Sequence, residues 1–418
     1  MGVLIYRTKP ESARLAGTYR EPYIRVAMHA DRRRSRLALA RRGWPVLAAS
    51  SCIAIAACRT GTEVDTSAPT PWEIQPAATV DDGTTYWPAA QWRTALPNQV
   101  GMDGDAMAAL SRDMQRRRWE TLRSLLIVRR GYLVFNEYVV GTTPQQLQPL
   151  HSMTATVTGL LAGIAVREDK LHAIDGVRQL FPEYSDFGGP FTSGMVVDDL
   201  LSMRSGISID EEIFGSAAPT TATVDWLRLI FSRPMMAMPG ETWHYSSADA
   251  VILGGVLRAT TGEAANAYAR RTLFASLGIT DYTWYTGQPN GLPQMGSGLS
   301  LTAPDMARIG YLLLRKGQWQ GTQLVTPAWV AGMGERKSEG VVRWLQYSLD
   351  FGRMLWVLPA FPGGPATDAV AGTGIRGQWI IVVPSRDLVV VATGAAQTVD
   401  EHAEVLRLLY DVIVPAIR

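Results

Sequence analysis

His151-Ser152-Met153-Thr154-Ala155-Thr156-Val157-Thr158-Gly159-Leu160-Leu161 is the stretch on which the fold turns. From Ser152 to Arg167 apolar residues recur at Val157, Leu160, Leu161 and Ile164, the i, i+3, i+4, i+7 spacing of a helix face, so a buried helix is expected with Ser152 in its first turn. A serine there meets unpaired first-turn N–H groups and the positive end of the helix dipole, both of which favour a nucleophilic oxygen. Taken alone, such a serine is ordinarily just a helix cap.

Outward from this helix the pattern is asymmetric. Before it, Asp105–Arg118 has helical spacing, and Leu122–Val128 and Tyr132–Val140 are strand-like runs joined by Arg129-Arg130-Gly131. After it, residues 170–285 hold helical segments (Asp198–Met203, Val224–Phe231, Ala248–Thr260, Ala264–Leu277) and few strand signals. Beyond Gly296 come a helix over Ala303–Arg315, strands over Trp379–Val383 and Leu388–Thr393, and a closing helix over Val399–Ile417, with 340–371 read as a loop. The expected class is α/β (α+β): an antiparallel sheet flanked by helices and built from both ends of the chain, with a mainly helical lobe inserted at about 170–285. There is no internal repeat.

Four further segments follow in order: Leu200-Leu201-Ser202-Met203-Arg204-Ser205-Gly206-Ile207, Pro239-Gly240-Glu241-Thr242-Trp243-His244-Tyr245-Ser246-Ser247, Gly298–Gly310 and Gly374–Pro384. Together with the serine helix they resemble the serine β-lactamase and penicillin-binding-protein superfamily, in its class C-like branch of esterases and 6-aminohexanoate-dimer hydrolases. The resemblance spans roughly residues 95 to 415. It implies Ser152 as an acylated nucleophile, Tyr245 as the partner that shuttles its proton, and Ser247, Gly374, Arg376, Gly377 and Gln378 as the substrate-binding wall. Backbone N–H groups of Ser152 and of that wall would form the oxyanion hole. The implied reaction is hydrolysis of a small-molecule or peptide amide or ester through an acyl-enzyme, with no metal and no cofactor.

Three positions depart from the family pattern. The lysine of Ser-x-x-Lys is Ala155, the third residue of Tyr-x-Asn is Ser247, and Gly372-Thr373-Gly374 lacks the usual Lys or His, leaving Arg376 as the nearest cation. The lysines of the chain are Lys9, Lys170, Lys316 and Lys337, none within a motif. A tyrosine of pKa near 10 is ionised in only about one molecule in a thousand at neutral pH, and the lysine normally overcomes this. His151 and His244 flank Ser152 and Tyr245 as candidate replacement bases, although sequence neighbours on a helix or strand point apart. Three readings follow: a serine hydrolase, a silent relative that binds cell-wall peptides or similar acyl ligands, or a hydrolase in which Ala155 is an engineered change that silences it or traps an acyl intermediate. Trp243, Trp284, Trp344, Trp356 and Trp379 could line such a pocket but suit the core equally well.

Length and charge bound the rest of the chain. With 418 residues, 47% of them hydrophobic, and two cysteines, the chain is neither disordered nor a disulfide scaffold. Residues 1–58 hold eleven basic and three acidic residues; 29 basic and 35 acidic residues remain from 59 onward, net −6, which excludes a nucleic-acid partner for the folded part. The cationic run Arg32–Arg42, the apolar run Gly43–Ala57 and Ile55-Ala56-Ala57-Cys58 read as a lipoprotein signal with lipidation at Cys58, translation starting at Met1 or Met28. Residues 59–100 read as a tether, 101–418 as the folded body, and the location as a periplasmic or cell-surface membrane anchored by lipid. Oligomeric state is not encoded in these features.

Overall fold

The computed structural model describes residues 86–88, 91–139, 141–184, 194–209, 211, 225–287, 291–362 and 368–418. The signal-like segment with Cys58 lies outside the described residues.

Helix α1 (Gly104–Gln115) is capped by Asp103, whose side chain accepts from the N–H groups of Asp105 and Ala106, and it leads into the hairpin β1 (Leu122–Arg129) and β2 (Tyr132–Tyr138). Strand β3 (Gln148–Pro149) precedes helix α2 (Thr154–Arg167). The inserted segment carries α3 (Val197–Leu201), α4 (Trp226–Phe231), α5 (Ser247–Thr261), α6 (Ala265–Ala269) and α7 (Ala275–Leu277), a π-helical turn joining the last two. It ends in β4 (Tyr282–Trp284), which pairs with β5 (Leu299–Leu301). Strand β5 in turn pairs with β3, so a three-stranded sheet ties the inserted segment to the chain just ahead of Ser152.

After α8 (Ala303–Leu314) come the small hairpin β6 (Gln318–Trp319) and β7 (Thr322–Gln323), then α9 (Pro327–Met333). Strands β8 (Ser338–Trp344), β9 (Tyr347–Phe351), β10 (Trp356–Val357), β11 (Val370–Gly374), β12 (Gln378–Val383) and β13 (Leu388–Gly394) follow, and α10 (Val399–Arg407) closes the chain through a π-helical turn, Leu408–Ile413. The main sheet has the order β2-β1-β13-β12-β11-β10-β9-β8, antiparallel throughout, with β1 from one end of the body beside β13 from the other. Both faces are covered. Gly310 of α8 sits so close to Val389 and Ile380 that it has no room for a Cβ, while the neighbouring Trp379 points the other way and donates to the carbonyl of His402 on α10. Strand β12 is therefore buried at every position, as its unbroken apolar run Trp379–Val383 requires.

Two expectations need correction. The tether reading of 59–100 fails over its last residues: Tyr86 stacks on Tyr132, Ala95 N–H donates to the Leu133 carbonyl, and Val100 is fully buried. Aromatic anchors hold this segment to β2 although it has no periodicity to announce it. The loop expected at 340–371 holds most of β8 together with β9, β10 and the first residues of β11; it extends the sheet by three strands and starts a fourth.

Candidate active site

Ser152 lies in a single 3-10 turn, His151–Met153, that runs directly into α2. The turn is reached by an abrupt change of direction at His151, whose φ of 50° is unusual for a non-glycine residue and persists only where the surroundings fix it. Those surroundings are explicit. Leu150 N–H donates to the Leu299 carbonyl at 2.8 Å and Met153 N–H to the Leu150 carbonyl at 3.2 Å. Gly374 of β11 passes so close that a Cβ there would collide with the Leu150 carbonyl oxygen, and one at Gly372 would stand 2.6 Å from the Thr156 hydroxyl. Bare backbone on one face of β11 is what lets the serine turn rest against the sheet.

Tyr245 arrives from a loop pinned to the Met203–Ser205 segment by His244 N–H to the Met203 carbonyl at 3.0 Å and Gly240 N–H to the Arg204 carbonyl at 2.8 Å. Ser246 then caps α5, accepting from Asp249 N–H at 3.1 Å. The Tyr245 phenol stands beside the side chains of Ser152 and Ser247, both of which act on it. Tyr245 is buried, and burial followed by the negative charge of Glu211 raises the phenol well above its ordinary pKa, with the two serine side chains acting in the opposite sense. The phenol is neutral at physiological pH.

Glu211, which no sequence motif singled out, sits 2% exposed behind Ser247. Its Oε1 accepts from the Ser247 N–H at 2.6 Å and its Oε2 from the Ser247 hydroxyl at 2.7 Å. Asp249, a turn further into α5, accepts from the hydroxyls of Ser205 and Ser246, both at 2.7 Å. Burial raises its carboxyl to about 7 despite these bonds, the Glu211 charge adding to the rise.

The expected wall divides in two. Gly374 touches the serine turn, and the Arg376 guanidinium is close enough to His151 to help burial, the larger cause, lower that imidazole to about 4. Gly377 and Gln378 are committed elsewhere. Gly377 N–H donates to Nδ1 of His402 at 3.1 Å, and the Gln378 side chain donates to the Gly394 carbonyl. Because Nδ1 accepts, the neutral ring carries its proton on Nε2 and donates to the Thr373 hydroxyl at 3.1 Å, which itself donates to the Gln378 carbonyl at 3.1 Å. Burial holds His402 neutral, its pKa lowered to about 3. Gly377 and Gln378 thus brace the turn between β11 and β12 rather than reach toward Ser152.

Ala155 is buried one turn beyond Ser152. Lys170 pairs with Glu168, and Lys337 with Glu335 and Asp198, so neither replaces the missing ammonium. The side chains acting on the Tyr245 phenol are those of Ser152 and Ser247, while His244 sits partly buried, which lowers its pKa. Trp356 stacks on Tyr245 with ring centroids 6.2 Å apart, and Trp243 packs edge-on against both. Trp379 is core. Among the described residues no group of three or more His, Cys, Asp or Glu side chains could hold a metal ion.

A serine hydroxyl held against a glycine strand, with a phenol at its side, is an arrangement that can serve acyl transfer. The beta-lactamase family pattern matches residues 112–411, and the chain belongs to that family of hydrolases. It is 25% identical over 315 residues to the 6-aminohexanoate-dimer hydrolase of Paenarthrobacter ureafaciens, covering 71% of this chain and 79% of the relative. Among solved structures it resembles a Bacillus anthracis protein provisionally assigned as a 6-aminohexanoate-dimer hydrolase (TM-score 0.63, 18% identity, 78% of this chain and 87% of the other). It also resembles EstCE1, a hydrolase with promiscuous acyltransferase activity (TM-score 0.60, 18% identity, 73% and 97%).

Proposed function

We propose that the protein is a serine hydrolase that opens an amide or ester bond through an acyl-enzyme on Ser152, with Tyr245 passing the proton and the face of β11 at Gly374 opposite the nucleophile. The observation that carries this reading is the juxtaposition of the Ser152 and Tyr245 side chains, brought together from the sheet-borne serine turn and the inserted segment. A nucleophile needs such a partner within hydrogen-bond reach. An amide or ester substrate is supported by the likeness to a 6-aminohexanoate-dimer hydrolase and to a hydrolase with promiscuous acyltransferase activity. Attachment to a membrane through lipidated Cys58, facing the periplasm or outside, belongs to the same proposal; Cys58→Ser should release the protein to the soluble fraction or block its processing, and unchanged membrane association and size would remove that part.

One observation favours the second reading, a silent binder of cell-wall peptides or related acyl ligands: Ala155 supplies no amine, and the Tyr245 phenol is raised, not lowered. Fluorophosphonate labelling with peptide mapping separates the two. Label on Ser152 supports the hydrolase, and an unlabelled Ser152 in folded protein supports the binder.

A further inference from the structure

The end of the main sheet opposite Ser152 is strongly basic. Gly374 pairs with Gln378 at one end of β11 and β12, and Val383 pairs with Leu388 at the other end of β12, so the turn Pro384–Asp387 lies one strand length, about 20 Å, from the serine turn. Arg129 and Arg130 reach this end from the β1–β2 hairpin, Arg386 from the β12–β13 turn, Arg315 from the end of α8, and Arg93 from the segment beside β2. Backbone bonds draw them together. The Arg129 guanidinium donates through Nη1 to the Arg386 carbonyl, Arg130 N–H donates to the Asp387 carbonyl at 3.1 Å, and Leu133 N–H donates to the Arg93 carbonyl at 2.9 Å.

These five positive charges meet few negative ones. Asp387 Oδ1 stands 2.8 Å from Arg315 Nη2, and Asp368 is occupied by Ser385, whose N–H and hydroxyl both donate to it. Among the described residues Arg93, Arg129, Arg130 and Arg386 have no carboxylate within ion-pair reach. Arg129 is only 7% exposed, and its Nε and that of Arg386 are enclosed without a hydrogen-bond partner. Burial and then the Arg130 charge lower the Arg129 pKa, with Asp387 opposing and Arg386 adding. A buried guanidinium beside like charges is costly until an anion compensates it. The concentration is not a property of the whole body, which from residue 59 onward holds 29 basic against 35 acidic residues, net −6.

Two observations say what the anion is. Arg93 and Arg130 are exposed, Arg386 is half-buried, and Arg130 extends over Gly101, so the charge is spread over the end of the sheet as an extended anionic surface requires, not gathered around one small ion. The chain also enters the body here. Tyr86 stacks on Tyr132 with ring centroids 5.5 Å apart and lies under the Arg93 guanidinium at 4.4 Å; its carbonyl accepts from the Tyr311 hydroxyl at 2.7 Å, and Arg315 covers the Tyr311 ring at 4.7 Å. Residues 59–85 therefore join the body among these arginines.

We propose that this arginine end is a docking surface for the phosphate groups of anionic phospholipids, laying the body on a bilayer with the Ser152 end turned away. The proposal rests on the reading that residues 59–85 lead to a membrane, and not on the chemistry at Ser152. A tether keeps a body near a bilayer without deciding which face meets it. A basic patch decides this, each arginine close to an anionic surface raising partition about fivefold.

The test is phenylglyoxal footprinting of arginines in the full chain carrying Cys58→Ser, read by peptide mapping with vesicles of phosphatidylcholine alone or mixed with phosphatidylglycerol. Anionic vesicles should suppress modification of Arg93, Arg130 and Arg386 and leave Arg343, exposed on β8 at the far edge of the sheet, unchanged; neutral vesicles should protect none of them. The variant Arg93→Gln/Arg130→Gln/Arg386→Gln should lose about 10²-fold of the excess partition into anionic over neutral vesicles at low salt, and less at high salt. The cationic run Arg32–Arg42 is present in both chains, so the difference reads the body. If the triple variant does not fold, judged by circular dichroism, Arg130→Gln alone should lose about fivefold. Equal modification with and without anionic vesicles, protection of Arg343 in place of the other three, or undiminished partition in the variants overturns the docking surface. Protection by inorganic phosphate alone to the same degree also overturns it, since the cluster would then be a small-anion site. Fractionation of cells expressing Cys58→Ser reads the anchor separately, so a failed anchor and a failed docking surface are told apart.

Discussion

The two faces of strand β11 do opposite jobs. Toward the nucleophile, Gly372 and Gly374 offer backbone alone, and the serine turn is set by how closely that backbone can be approached. Toward α10, Thr373 is fixed by His402, which also holds Gly377 N–H and thereby the turn into β12. The face toward Ser152 is made precise by leaving side chains out, while the opposite face is made precise by the buried bonds of Thr373 and His402. One strand thus transmits the rigidity of α10 to the site without placing any group of α10 near it.

The strongest way to break this contrast is Gly374→Ala. The new methyl meets backbone oxygen that cannot rotate away, so labelling of Ser152 should be lost and the protein destabilised by about 3 kcal/mol, read by denaturant unfolding. Retention of both would mean that the strand is not the positioning surface.

His402→Leu tests the other face. It leaves the Gly377 N–H and the Thr373 hydroxyl short of a partner in the interior, which costs about 2 kcal/mol, with a smaller loss of labelling than Gly374→Ala gives. It should also remove a pH effect of defined sign. The folded pKa of His402 is lowered to about 3 from the ordinary 6.5, so between these values the unfolded chain binds the extra proton. The stability contributed by the neutral ring is present in full above 6.5 and is lost as pH falls toward 3. Chemical unfolding at pH 7 and pH 4 should show a steeper acid loss for the parent than for His402→Leu.

Gly372→Ala should have the smallest effect, about 1 kcal/mol, because the atoms it meets belong to the Thr156 and Met153 side chains, which can shift rotamer. An effect as large as that of Gly374→Ala would show that the serine turn tolerates no displacement along its whole length.

Much of this site was legible in the sequence. Ser152, Tyr245, Ser247 and the glycine segment lie in short motifs whose order alone suggested their meeting, and the helix and hairpin signals at both chain ends foretold the shared sheet. Glu211 was not legible: it stands 36 residues from Ser247 in a stretch without periodicity, and only the fold joins them. His402 was hidden for another reason, since a lone histidine on an apolar helix face reads like any core residue. Strands β9 and β10, most of β8 and the first residues of β11 were read as loop; between β10 and β11, Pro359, Pro362, Gly363, Gly364 and Pro365 interrupt the run, and such local breakers outweigh pairing that only neighbouring strands supply.

The helix behind the nucleophile is enclosed along almost its whole length, buried at every residue from Thr154 to Ala165. Gly159 and Gly163 lie so near Met333 and Trp329 that neither has space for a methyl, and the Trp329 indole donates to the Gly159 carbonyl at 3.0 Å. In terms of time this makes α2 among the last parts of the molecule to open. Its amides should exchange with deuterated water only through global unfolding, on the slowest scale the protein has, whereas those of the 3-10 turn at His151–Met153 sit at its rim and open sooner. Ser152 is thus carried at the edge of the most persistent element, anchored like a rigid post yet placed where the chain can rearrange locally, as the proposed acyl transfer would require.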